Sequence, residues 1–77
     1  MEEKIMEILK EARPDIDFEN EKALMDDRVI ESFDVIQIAT SLMEEFDIVI
    51  DADDIEPEKF NSFESICELV RGKMEDN

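Results

Sequence analysis

A chain of 77 residues has room for one small domain, so residues 1–77 are read as a single unit. Its 24 acidic and 8 basic residues leave a net charge of −16, which repels nucleic acid and anionic membranes and steers towards basic protein patches. Histidine is absent and one cysteine can close no internal disulfide, so no zinc set is expected, and reducing, cytoplasmic surroundings fit best.

The N-terminal stretch Met1–Lys10 is acidic and amphipathic, unlike a basic-then-apolar signal peptide, and no apolar run approaches the roughly 18 residues of a membrane span. Within residues 2–12, Ile5, Ile8, Leu9 and Ala12 recur at helical spacing, with Met6 widening the stripe. Pro14 disfavours helix at Arg13 and closes this first helix. From Asp15 to Glu31 the pattern weakens. Ile16, Phe18, Leu24, Met25, Val29 and Ile30 are scattered among acids, and a connection this long calls for a function or an anchored path. The expectation is an anchored path with those side chains on the core; Ala23–Asp26 are compatible with one helical turn.

A second helix is expected over Ser32–Phe46. At roughly 100° per residue, Val35, Ile38, Ala39, Leu42 and Phe46 share one face, with Asp34, Gln37, Ser41, Glu44 and Glu45 opposite. Ile36 and Met43 lie on a shoulder, with Phe33 and Thr40 just beyond. This apolar sector exceeds the roughly 100° a small core requires, which suggests a docking surface. Ile48, Val49 and Ile50 favour extended backbone, but with no second strand to pair they read as a buried linker. Asp53–Pro57 can start a short helical turn with Ile55 and Phe60 inward.

Asn61 or Ser62 caps the last helix; Asn61 with Glu64 matches capping-box spacing. Phe63, Ile66, Cys67, Val70 and Met74 form its stripe, with Leu69 alongside and Gly72 as terminator; Glu75, Asp76 and Asn77 should fray. The sum is an all-α fold of three main helices and one short helix with a long first loop.

Without histidine, a serine or cysteine nucleophile lacks its usual base, and the acids spread along solvated faces, so no self-contained enzyme is expected. Cys67 reads as a small buried thiol. Asp47, Asp51, Asp53, Asp54 and Glu56 lack the glycine and spacing of a calcium loop. Ser32 reads first as an N-cap, its hydroxyl accepting a backbone N–H. Its long acidic approach and the surplus apolar side chains behind it add a second reading, in which the hydroxyl carries a phosphate ester near the positive end of the helix.

Glu31, Ser32, Phe33 and Asp34, followed by Glu44, Glu45, Phe46 and Asp47, then Asp53, Asp54 and Ile55, Pro57–Phe60, and Asn61, Ser62 and Phe63, resemble the acyl carrier proteins. The resemblance covers residues 29–71 and rests on the order and spacing of these segments around an Asp-Ser-Leu-like signature. It implies a small right-handed four-helix bundle whose Ser32 bears 4′-phosphopantetheine, added from coenzyme A by a phosphopantetheinyl transferase. The thiol of that arm would hold an acyl group as a thioester for partner enzymes with basic docking patches, in fatty-acid, polyketide or related biosynthesis. Glu31, Phe33 and Asp34 would flank the attachment. Asp34, Gln37, Glu44 and Glu45 would steer partners, with Phe33, Ile36 and Thr40 in contact. A bound acyl chain would lie near Phe33, Ile36, Ile38 and Leu42.

Glu31 stands where the family usually has aspartate, Phe33 for leucine, Val35 for threonine and Gln37 for glutamate. These departures point to a discrete, pathway-specialised carrier, expected to be a monomer. The alternative is an unmodified acidic helical module with the same fold that binds a basic partner.

Overall fold

The structure, a computed structural model, describes residues 1–75. Among them the regular elements are all helical: α1 (Glu2–Ala12), α2 (Ser32–Phe46), a 3₁₀ turn (Ala52–Asp54), α3 (Pro57–Phe60) and α4 (Phe63–Glu75). None of these helices is long and apolar enough to cross a membrane.

α1 begins with Glu2 and Glu3 at its positive end and carries Lys10 in its last turn, both favourable to the helix dipole. It stops at Ala12 because the proline at 14 pushes Arg13 out of helical geometry, to φ −141° and ψ 85°. Ile5, Ile8 and Leu9 are buried against the rest of the molecule.

The connection 13–31 follows an anchored path. Phe18 and Leu24 are completely buried, and Ile16 and Ile30 nearly so. One isolated helical turn forms where Asp27 N–H donates to the Ala23 carbonyl at 2.8 Å. Asn61 pins this turn from across the molecule. Its Oδ1 accepts from the N–H groups of Met25 and Asp26 at 3.0 and 3.1 Å. Its Nδ2 donates to Asp26 Oδ2 at 3.0 Å, and its carbonyl accepts from Leu24 N–H at 2.9 Å. A loop that forms no helical ladder thus satisfies its backbone partly through Asn61 and partly through its own turns, as where Ile30 N–H donates to the Leu24 carbonyl at 3.0 Å.

α2 packs on α1, α3 packs on α4, and α4 also touches α1 and α2. Val35, Ile38, Ala39 and Leu42 form the buried side of α2. Phe46 is only half-buried, at the edge of the core rather than inside it. Burying each large aliphatic or aromatic side chain stabilises the fold by about 1.5–3 kcal/mol relative to leaving it in water. Beyond α2, Ile48 and Ile50 point inward and Val49 outward, so the linker alternates without pairing as a strand.

The start of α4 differs from the expected Asn61–Glu64 box. Ser62 is the cap, its Oγ accepting from Ser65 N–H at 3.1 Å. Asn61 is occupied with the loop, and Glu64 instead pairs with Lys22 at 2.8 Å. The end of α4 differs too. Gly72 lies within the helix and has no left-handed backbone, so the helix runs on to Glu75 rather than fraying there. Asp76 and Asn77 lie outside the described residues. Met74, expected on the inward stripe, is substantially exposed.

Candidate functional site at the start of α2

Ser32 is the first residue of α2, and the N-cap is Glu31. Glu31 is extended, at φ −108° and ψ 174°, and forms a reciprocal capping box with Asp34. The Glu31 N–H donates to Asp34 Oδ2 at 3.1 Å. This corrects the reading of Ser32 as cap: the acid before it and the acid two residues after it satisfy the orphan donors. Ser32 is exposed, and its hydroxyl makes no side-chain hydrogen bond among the described residues.

Asp34 also departs from the outward face assigned to it. It is 9% exposed, and its Oδ2 accepts from Arg13 Nη1 at 2.9 Å. The same guanidinium grips Asp15 with Nε and Nη2 at 3.0 and 2.9 Å. These bonds, to Asp15 foremost and then Asp34, raise Arg13 above its ordinary value and keep it charged. A carboxylate held this way is an internal support and cannot present its charge to a partner. Asp34 therefore leaves the docking set.

The remaining residues of that set do share a surface. At 100° per residue, Phe33, Ile36, Gln37, Thr40 and Glu44 span an arc of about 100°. All five are exposed, Phe33 by 77% and Ile36 by 61%. Phe33 and Thr40 stand near the middle of this arc, and Ile36 lies at its edge beside Met43, as the periodicity places them. Glu45 is exposed at its margin, and Met43 is half-buried. Thr40 Oγ1 donates to the Ile36 carbonyl at 2.8 Å, so its methyl rather than its hydroxyl is the more available part. The expected acyl-chain lining does not converge, because Ile38 and Leu42 are fully buried while Phe33 and Ile36 face out.

A second cluster went unread in the sequence. Asp54 is 6% exposed, yet it is charged, with Lys73 Nζ at 2.8 Å from Oδ2 and Lys59 Nζ at 3.0 Å from Oδ1. Asp51 N–H completes the set on Oδ2 at 3.0 Å. Asp54 borders an open groove between α3 and α4 with Glu58, Ser65, Glu68 and Leu69. Two cations on one carboxylate, flanked by further acids, make a structural clamp rather than a ligand site. Cys67 is buried in the core, and loss of solvation pushes its thiol up to about 11, which keeps it protonated and unreactive. Among the described residues, no group of three or more His, Cys, Asp or Glu side chains converges to hold a metal ion.

The pairs Arg13–Asp34 and Lys73–Asp54 carried no signal at short range, since the partners in each are about twenty residues apart. No family model matches the chain, and no curated protein or solved structure matches it.

Proposed function

We propose that the chain is an acyl carrier whose Ser32 takes 4′-phosphopantetheine from coenzyme A. The observation that carries this reading is the release of Ser32 from structural duty. Glu31 and Asp34 cap α2, and the serine hydroxyl stands exposed at the positive end of a 15-residue helix. An attached phosphate diester fits there, because a helix start tolerates negative charge and Arg13 offsets the nearest buried carboxylate. When attached, the arm supplies a thiol that holds an acyl group as a thioester. The chain then acts as carrier rather than catalyst.

Phe33 and Ile36 supply the apolar contact for partner enzymes, with Gln37 and Thr40 beside them and Glu44 and Glu45 steering basic patches. On this reading the four helices form a right-handed bundle and the carrier works as a monomer. The second reading, an unmodified acidic interaction module, draws on Glu31, whose engagement as a cap gives this acid a purely structural role.

Incubation with coenzyme A and a broad-specificity transferase, followed by intact-mass measurement, separates the two. The carrier reading requires one added phosphopantetheine that is lost in Ser32→Ala. An unchanged mass with several transferases, together with partner binding that survives Ser32→Ala, supports the module instead.

A further inference from the structure

We propose that Arg13 is a positioning residue for loading at Ser32: it holds the first turn of α2 in the orientation a transferase must meet. This rests on the carrier reading above. Arg13 lies outside both helices that it joins. Its backbone N–H donates to the Leu9 carbonyl at 2.9 Å, which fixes it to the end of α1. The two-pronged grip of Asp15 then orients its guanidinium, leaving Nη1 to reach Asp34 Oδ2 at 2.9 Å.

One oxygen carries the linkage. Asp34 Oδ2 accepts both from Arg13 and, at 3.1 Å, from the N–H of Glu31, the residue immediately before Ser32. The path from α1 to the serine is thus Arg13, one carboxylate oxygen and one amide. Removing the cation leaves a carboxylate that is 9% exposed without its charge partner. Such a group relieves its desolvation by turning to water, and the Glu31 N–H then loses its acceptor. The first turn of α2 frays, and Ser32 with it.

Charge works in the same direction. Loading forms a bond from Ser32 Oγ to phosphorus and breaks the pyrophosphate P–O bond of coenzyme A. Adenosine 3′,5′-bisphosphate leaves, and the hydroxyl proton passes to the transferase or to water. The incoming group is anionic, and the two residues that cap this turn, Glu31 and Asp34, are both carboxylates. Arg13 compensates one of them at a site that solvent reaches poorly. Arg13 touches none of the reacting atoms.

The test compares wild type, Arg13→Gln, Arg13→Lys, Asp34→Asn and the double variant Arg13→Gln/Asp34→Asn, with circular dichroism confirming that each is folded. Loading rates with coenzyme A are followed by intact mass, and amide hydrogen exchange of residues 31–35 is measured on the unloaded chain. Arg13→Gln is expected to lower kcat about tenfold with little change in KM, since the outward face of Phe33 and Ile36 is untouched. Exchange at residues 31–35 should quicken in parallel. Arg13→Lys should restore part of both, and the double variant should match Arg13→Gln alone.

Wild-type kcat and exchange in a folded Arg13→Gln would overturn the proposal. So would a loss confined to KM, or full additivity in the double variant. If Arg13→Gln does not fold, Asp15→Asn loosens the guanidinium while leaving its charge, and it should slow loading about threefold; a wild-type rate there also overturns the proposal. Failure of the wild-type chain to load at all, with Ser32→Ala as control, instead removes the carrier reading and this proposal with it.

Discussion

Asp54 has three donors on two oxygens, from Lys73, Lys59 and the Asp51 backbone. The hydrogen bond from Lys73, then that from Lys59, holds its carboxyl far below the usual carboxylate range despite its burial. A folded-state value below the unfolded one of about 3.9 means that the clamp stabilises the fold above that pH. Its contribution is lost as pH falls through the folded value. Asp54→Asn should therefore cost about 1–3 kcal/mol at pH 7, with the gap from wild type closing in strong acid. Urea midpoints of the two proteins across the acid range check the sign, and a gap that widens on acidification would contradict it. Neither lysine could be paired with Asp54 from the sequence, because Lys59 sits on α3 and Lys73 a full helix later. Their meeting depends on how α3 packs on α4.

At the scale of elements, local chemistry was the better guide. The end of α1 follows from Pro14, and the existence of α2 from the apolar period that begins at Val35. The orientation of α2 was legible on both sides, with one exception on each, since Gln37, Glu44 and Glu45 are exposed as expected. Val35, Ile38, Ala39 and Leu42 are inward as expected, but Phe46, on the same stripe, is only half-buried against the core. Asp34 shows the opposite case: it is polar, yet a cation from α1 makes its burial tolerable. Gly72 invited a stop signal because glycine so often ends helices, but nothing in α4 requires a left-handed residue there. A Cβ built at Gly72 meets nothing within 4 Å. Gly72→Ala should accordingly raise stability by about 0.5–1 kcal/mol through reduced freedom of the unfolded chain. A lowered urea midpoint in this variant would show that the groove beside Asp54 depends on the missing methyl.

For the whole molecule, the net charge of −16 governs behaviour. Lys4, Lys10, Arg13, Lys22, Lys59, Arg71 and Lys73 each sit in an ion pair with an acid. Most of these pairs are exposed and stabilise little individually, and the acids left over repel one another. Screening should relieve that repulsion. Relief of about 1 kcal/mol between roughly 0.01 and 0.15 M salt would raise Tm by about 4–8 °C. Thermal melts in the two buffers provide the measurement, and coincident curves would show that the acids are too far apart to matter.

Periodicity, proline placement and composition sufficed to establish the helices, the anchored course of the long connection and the exclusion of a histidine-based site. Helix periodicity and proline placement are short-range properties, written in side chains a few residues apart, whereas the anchor that holds the connection, Asn61, comes from the far side of the chain. Which acids are exposed and which are buried supports was decided by the packing alone. Asp34 and Asp54 look like every other carboxylate in the chain until packing brings Arg13 to the first and Lys59 and Lys73 to the second. The freedom of the Ser32 hydroxyl has the same origin, since it depends on Arg13 securing the carboxylate that caps the helix in its place.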